Sequence, residues 1–141
     1  RDLIQAGASI ALGTDSHAII DPFEEARAVE LDERLASGER GRHSAASLLG
    51  AATANGHASI GWPEAGAIAP GAPADLVAVT LDGVRLAGAT PETLLESIVF
   101  AATAGDVARV ISGGREIVRG GSHVDIDVAA ELRESIAGAL A

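Results

Sequence analysis

The chain has 141 residues, no cysteine and a formal net charge of -10, from 20 acidic and 10 basic residues. The missing cysteines exclude disulfides, thiolate metal sites and cysteine nucleophiles within the chain, and they fit a reducing cytoplasm. The acidic charge argues against binding to nucleic acid or to an anionic membrane. No run reaches the roughly 20 apolar residues of a membrane span, so we expect a cytoplasmic protein with neither partner.

The first predicted elements are a helix end and a buried strand. Residues 1–6 have the pattern of a last helical turn that Gly7 would terminate, and the apolar residues 9–12 are typical of a strand in a parallel sheet. The strand leads into Gly13-Thr14-Asp15-Ser16-His17. Because catalytic groups of a (β/α)8 barrel gather where its strands end, Asp15 is the first candidate for chemistry. In the alternative, Asp15 is a turn residue whose carboxylate accepts local backbone hydrogen bonds.

Two helices are predicted next. Asp21, Pro22 and Glu24 combine an N-cap, a proline at the first helical position and the glutamate of a capping box, which predicts a helix over residues 22–36. These carboxylates are therefore interpreted as caps and not as a paired catalytic site. A second helix is predicted over residues 44–59 from apolar residues at helical spacing. The first helix also carries charged residues that we expect to form exposed ion pairs, namely Arg27, Glu30 and Arg34.

The chain changes character after residue 63, where proline and glycine become frequent. The elements predicted beyond this point are a strand at residues 75–80, a short helix from Thr90, strands at residues 107–112 and 115–119, and a helix at residues 128–140. Gly113-Gly114 suits the positive φ angles of a tight hairpin between the last two strands. Gly120-Gly121 is expected to release the chain from the sheet.

The four histidines show no metal-binding spacing, since no two of them form a His-x-His pair or a His-Glu-x-x-His helix. A catalytic zinc usually takes three or more protein ligands, so any metal bound by Asp15 would need further ligands from upstream polypeptide. Ser16 and His17 are candidates for supporting such a site from beside Asp15, and direct binding by His17 is the alternative. We interpret the remaining histidines as surface or packing residues: His43, His57 and His123.

Several segments together resemble the C-terminal part of the amidohydrolase superfamily, in its metal-dependent deaminase branch. Gly13-Thr14-Asp15-Ser16 resembles the end of the eighth barrel strand. The other segments are the helix at Ala51-Ala52-Thr53-Ala54-Asn55-Gly56, the entry to a small β domain at Gly66-Ala67-Ile68 through Ala74-Asp75-Leu76, and the closing hairpin around Gly113-Gly114. Within that branch, residues 15–35 are most similar to N-formimidoyl-L-glutamate deiminases, which act in histidine breakdown.

The resemblance implies an α/β fold made of a C-terminal slice of a (β/α)8 TIM-like barrel and part of a small β-sandwich domain. A complete barrel takes ~250 residues, so only part of one is expected here. The implied divisions are the last strand and helices of the barrel at residues 1–63, the β domain with a linking helix at residues 64–124, and a helix packing back on the barrel at residues 125–141. A self-standing small domain is the alternative that length alone leaves open.

The resemblance also implies a chemistry. One zinc per subunit would be held by upstream histidines and by Asp15, which would also accept the proton of the zinc-bound water as hydroxide attacks the formimidoyl carbon. The products would be N-formyl-L-glutamate and ammonia. The implied partners are a small-molecule substrate, the upstream part of the same enzyme and a second copy in a homodimer.

Two other functions are compatible with the same residues. A deaminase of the same superfamily could act on a purine, a pyrimidine or another amidine. Alternatively, the chain could be a noncatalytic assembly or dimerisation module in which Asp15 is an ordinary turn residue.

Overall fold

The computed structural model describes residues 2–15 and 18–140. The described elements are helices α1 (Asp2–Gln5), α2 (Pro22–Ser37), α3 (Ala45–Ala52), α4 (Ala54–Ser59), α5 (Leu94–Ala101) and α6 (Val128–Ala139), and strands β1 (Leu76–Val79), β2 (Val107–Ser112), β3 (Arg115–Arg119) and β4 (Ser122–His123). The strands form one antiparallel sheet in the order β1-β2-β3-β4. No helix in this described part is long and apolar enough to cross a bilayer.

The core lies between α2, α3 and α5, which contact one another in all three pairs. Its buried side chains are Ala26, Ala45, Leu48 and Val99, with Leu12, Val29 and Leu95 packed against them. Alanine on α2 and α3 lets these two helices approach closely, since it adds little bulk between them. Helix α5, the linking helix expected within the β domain, thus packs against α2 and α3. We refer to helices α2 to α5 as the helical layer.

The start of α2 confirms the predicted N-cap. One carboxylate oxygen of Asp21 accepts the N–H groups of the second and third residues of the helix at 2.9 and 3.4 Å. Its other oxygen accepts the distant Ala104 N–H at 3.0 Å. Arg27, which the sequence analysis placed in an exposed ion pair, instead donates to the Ala102 carbonyl oxygen at 2.6 Å. Both contacts join α2 to the segment that follows α5.

Residues 9–12, predicted as a strand of a parallel sheet, have no strand partner within the described structure, and their pairing with upstream barrel strands stays a prediction. Residues 8–14 form no helix or strand, and none of the described strands pairs with them. The segment nevertheless keeps the two-residue alternation of a strand, because Ile10, Leu12 and Thr14 are half-buried while the residues between them are exposed. One face therefore packs on the helices, and the other is uncovered within the described residues.

The single helix predicted over residues 44–59 is wrong, because Thr53 interrupts it with φ -122° and ψ -96°. The Thr53 hydroxyl donates to the Leu49 carbonyl at 2.7 Å, and its N–H bonds to Gly50 rather than continuing the helical pattern. A threonine hydroxyl that competes for a backbone carbonyl in this way commonly bends a helix. The result is two short helices, α3 and α4.

The predicted hairpin is confirmed, and a second one follows it. Gly113 and Gly114 connect β2 to β3 with φ angles of 55° and 79°, as a two-residue turn requires. Asp75 accepts the Gly113 N–H at 2.6 Å and so ties this turn to the start of β1. The expected release of the chain from the sheet at Gly120 and Gly121 does not occur. These two glycines instead turn the chain back into the short strand β4.

Helix α6 is confirmed at Val128–Ala139, and none of its residues is buried within the described structure. Its apolar stripe consists of Val128, Leu132 and Ile136, continues to Leu140, and is at least 45% exposed at every position. The packing of α6 on a barrel stays a prediction.

Gly66, in the loop after α4, lies close against the backbone of that helix, and we expect its replacement to destabilise the fold. It has a φ of 82°, and an added Cβ would lie 2.8 Å from the Ala54 backbone and from the His57 ring. Gly71 has a similar φ of 88° but open space around its Cα. Urea unfolding should therefore show a loss of about 1 kcal/mol for Gly71→Ala, from the left-handed conformation alone, and about 3 kcal/mol for Gly66→Ala. Equal losses would mean that the contact with α4 is unimportant.

Candidate functional site

Asp15 ends the extended segment and has an unusual backbone conformation. Its φ of 44° makes it the one non-glycine residue in the left-handed region among those that the structure describes. Aspartate adopts this conformation more readily than most residues, and such conformations concentrate at functional sites. The side chain is exposed within the described part of the chain. Asp15 is therefore held in a defined turn with its carboxylate on the surface.

The other predicted members of the site lie outside the described residues. Ser16 and His17 fall between residues 15 and 18, so their supporting roles stay predictions. Across residues 2–15 and 18–140, no group of three or more His, Asp or Glu side chains is arranged to hold a metal ion. Asp15 can contribute one oxygen ligand to a metal site, and the described part of the chain assembles no further set around it.

Two hydrogen bonds anchor the segment that carries Asp15. The Leu12 N–H donates to the Ala51 carbonyl in the last turn of α3, with 3.2 Å between nitrogen and oxygen. The Asn55 side-chain amide in α4 donates to the Ile10 carbonyl, also at 3.2 Å. Leu12 additionally packs against the apolar core. The helices thus fix the segment three to five residues before Asp15.

A cavity of about 260 Å³ lies beside the same segment, on its helix side. Its lining includes Leu12, Thr14, Ile20, Pro22 and Glu25, and Asp15 does not line it. The walls are mainly apolar, and Glu25 supplies the one acidic side chain among the described lining residues. The cavity is therefore separate from the Asp15 carboxylate, so we place the candidate site on the exposed face of the segment.

The three described histidines have packing roles, as predicted. His43 is buried, and its backbone N–H donates to Glu30 on α2 at 2.8 Å. The Nδ1 atom of His57 lies 2.9 Å from the Thr53 carbonyl oxygen, within α4. His123 is half-buried in β4 and accepts the N–H of the residue two positions later at 3.2 Å. None of these contacts brings an imidazole to Asp15.

Comparison with known proteins identifies the family of this chain. The model of the Amidohydrolase family matches residues 1–117, which include the anchored segment, Asp15, strands β1 and β2 and the start of β3. The chain belongs to the amidohydrolase family.

Curated relatives of this amidohydrolase chain include enzymes with two kinds of substrate. A 5'-deoxyadenosine deaminase from Methanoregula boonei is 35% identical over 122 residues, which are 84% of this chain and 27% of the relative. A formimidoylglutamate deiminase from Pseudomonas aeruginosa is 31% identical over 146 residues, which are 99% of this chain and 32% of the relative. The chain thus spans about a third or less of the length of these relatives.

A solved structure agrees with the family. The crystal structure of an adenosine deaminase from Xanthomonas campestris with bound zinc matches with a TM-score of 0.85 and 26% identity, over 96% of this chain and 31% of that chain. The mixed α/β fold of this amidohydrolase chain therefore fits part of a TIM-barrel domain.

Sequence reasoning missed the role of Glu30, which it placed in an exposed ion pair. Glu30 is 1% exposed, and its carboxylate accepts the N–H groups of Gly41 at 2.7 Å and His43 at 2.8 Å, as well as a bond from Arg34 at 3.2 Å. Burial raises the pKa of Glu30, but these donors outweigh it and leave the pKa below its ordinary value. The available signal was its position four residues after the buried Ala26, on the inner face of α2.

A second buried carboxylate, Asp106, holds the loop after β1 against the end of α5. Arg85 donates to both of its oxygens at 2.9 Å, and the Thr103 N–H donates at 2.9 Å. The bonds from Arg85, followed by the bond from Thr103, lower the pKa of Asp106 to about 2. A carboxylate held ionised by this many donors is a structural anchor in the amidohydrolase chain rather than a base.

Proposed function

We propose that this chain is the C-terminal part of a zinc-dependent amidohydrolase that releases ammonia from an amidine substrate, with Asp15 as metal ligand and proton acceptor. The observation that carries the proposal is the Asp15 turn itself. A non-glycine residue with a φ of 44° ends a segment bonded to two helices and presents an exposed carboxylate. A formimidoylglutamate deiminase that matches along 99% of this chain, and so over this region, supports the same reading.

The chemistry of the donor fits zinc, since carboxylate oxygen is one of its usual protein ligands. Asp15 would hold the ion together with histidines of the upstream part of the enzyme. Bound zinc would supply a nucleophile at neutral pH by lowering the pKa of a coordinated water toward about 7. Asp15 would accept a proton from the attacking water and return it to the departing ammonia, so that one carboxylate serves both halves of the reaction.

N-formimidoyl-L-glutamate is the substrate we propose, with N-formyl-L-glutamate and ammonia as products. Two observations favour it: the similarity of residues 15–35 to N-formimidoyl-L-glutamate deiminases, and the formimidoylglutamate deiminase that matches along 99% of this chain. The competing candidate is a 5'-deoxyadenosine-like nucleoside, because the matching deaminase of that kind has comparable identity. Both substrates carry an amidine carbon that loses ammonia on hydrolysis, so Asp15 would have the same role in either.

We also propose that upstream polypeptide completes both domains. Residues 1–63 would belong to the barrel, residues 64–124 to a small β-sandwich, and residues 125–141 to a helix that packs on the barrel. The exposed side chains support this, since Val77 on β1 is 59% exposed and Leu132 on α6 is 55% exposed. Apolar faces of this kind on a strand and a helix usually pack against other elements of the same domain. A homodimer in the cytoplasm stays a prediction from the resemblance.

Ammonia release by the full-length zinc-loaded protein tests the proposed function. We expect kcat/KM for N-formimidoyl-L-glutamate to exceed that for 5'-deoxyadenosine by at least about 10³-fold, because a site with polar groups placed for one substrate rejects a substrate that leaves them unpaired. Removal of zinc with a chelator should abolish the activity, and its return should restore it.

Each outcome of this experiment decides between the candidates. A higher kcat/KM for the nucleoside would support the deaminase activity and contradict N-formimidoyl-L-glutamate as the substrate. Absence of both turnover and stoichiometric zinc would contradict the enzyme and favour the assembly module.

A further inference from the structure

The segment of residues 8–14 takes its order from the helical layer. It pairs with none of the described strands. The Ala8 N–H donates back to the Leu3 carbonyl at 2.9 Å, and beyond that bond the backbone is fixed by the Leu12 bond to Ala51 and the Asn55 bond to Ile10, both 3.2 Å long. These anchors lie on the two sides of the helix interruption at Thr53. Because Asn55 is the second residue of α4, the interruption at Thr53 decides where its side chain can reach.

We infer that Asn55 is a positioning residue for Asp15, acting through the Ile10 carbonyl. The inference rests on the proposed role of Asp15. Asn55 makes its bond five residues before Asp15 and supplies no group to the reaction itself. Its amide fixes the rotation of the segment, which keeps Ile10 and Leu12 on the half-buried face.

The alternation of exposure explains why this anchor affects Asp15. In an extended segment, a shift by one residue exchanges the two faces, so that exposed positions become covered and covered positions become exposed. A side-chain donor that selects the Ile10 carbonyl stabilises one register over the other. A group that acts as ligand and base must be held within about 0.5 Å of its working position, so loosening this register should reduce both functions.

The side chain of Asn55 is exposed within the described structure, and this separates positioning from global stability. Loss of one exposed hydrogen bond changes the free energy of unfolding by about 1 kcal/mol or less in most proteins. The effect on Asp15 is not limited in that way, because residues that orient metal ligands commonly change metal affinity or activity 10- to 100-fold, by rough order of magnitude. Asn55 should therefore affect zinc binding and kcat far more than it affects melting.

The experiment compares four proteins at full length: wild type, Asn55→Ala, Asn55→Asp and Asn55→Gln. Asn55→Asp keeps the shape of the side chain but cannot donate to the Ile10 carbonyl, whereas Asn55→Gln keeps the donor on a longer stem. Ser59→Ala is the matched control, because it removes a 2.7 Å hydrogen bond in the same helix that stays within α4. The readouts are zinc affinity by chelator competition, kcat and KM, and hydrogen exchange of the Leu12 amide.

Asn55→Ala and Asn55→Asp should lower zinc affinity and kcat by about 10- to 100-fold, leave KM within about twofold, and accelerate exchange at Leu12. Asn55→Gln should recover part of each loss, and Ser59→Ala should match the wild type. Zinc affinity and Leu12 exchange in Asn55→Ala equal to those of Ser59→Ala would overturn the inference. A wild-type protein that binds no zinc would instead contradict the proposed function, and the exchange data would then report only the anchor.

Discussion

Replacement of Asp15 by asparagine in the full-length enzyme is expected to abolish deamination while leaving the fold intact. An amide cannot accept the proton of the attacking water, and loss of a positioned general base lowers kcat by about 10² to 10⁴-fold. Asparagine is the informative substitution because it tolerates the left-handed conformation with φ 44° nearly as well as aspartate does. Alanine at the same position would add backbone strain to the chemical loss. Ammonia release under saturating substrate measures the effect.

Asp82→Asn is the matched control for this experiment, since Asp82 is an exposed aspartate in the loop after β1. It makes the same change of charge and should leave kcat within about twofold, as surface substitutions usually do. Circular dichroism and thermal melting of both variants should agree with the wild type. Near-normal turnover by the Asp15→Asn protein would remove Asp15 from the reaction and return it to the role of an ordinary turn residue.

The parts of this fold that could be predicted from sequence depend on neighbouring residues. The cap of α2 needs Asp21 and the backbone that follows it, and the first hairpin needs Gly113 and Gly114 with their positive φ angles. Both signals lie within a few residues and have a direct cause in backbone geometry. The same kind of local signal predicts that Asp15 ends an extended segment.

The parts that could not be predicted depend on partners distant in sequence. The sequence predicts Glu30 in a solvent-exposed ion pair, because no neighbouring residue in the sequence indicates that the Gly41 and His43 amides fold back onto its carboxylate. Asn55 likewise bonds to Ile10 across 45 positions. Thr53 was hidden for another reason: the apolar periodicity continues through it, while its hydroxyl and backbone break the helix. Periodicity reports which face is buried and does not report such local competition.

These distant contacts form a chain of support that ends at Asp15. Glu30 fixes the loop between α2 and α3, and the buried Leu48 packs α3 against α2 and α5. The last turn of α3 then bonds to Leu12, and α4 bonds to Ile10. The position of the proposed catalytic carboxylate is thus set by a helical layer whose own geometry depends on a buried glutamate.

Glu30→Ala should accordingly be among the most destabilising single changes in this chain. Removal of the carboxylate leaves the Gly41 and His43 amides without their acceptor, and His43 is buried. Because an unsatisfied buried amide costs about 1 to 3 kcal/mol, we expect the free energy of unfolding to fall by about 2 to 4 kcal/mol at neutral pH. Asp32→Ala, an exposed acidic change on the same helix, should alter it by less than about 0.5 kcal/mol. Urea unfolding of both variants provides the comparison.

The pH dependence of the stability difference between wild type and Glu30→Ala distinguishes an ionised Glu30 from a merely well-packed side chain. Hydrogen bonds from His43, Gly41 and Arg34 outweigh the effect of burial and hold the pKa of Glu30 below its ordinary value. A carboxylate with a lowered pKa stabilises the folded state fully above its unfolded pKa of about 4.3, and the stabilisation is lost as the pH falls below that value. The stability gap between wild type and Glu30→Ala should therefore be constant from pH 6 to pH 8, because the Glu30 carboxylate is ionised there in both the folded and the unfolded state. The gap should narrow below about pH 4, where the carboxylate takes up a proton. A gap that stays constant into the acid range would show that packing, and not charge, accounts for the contribution of Glu30.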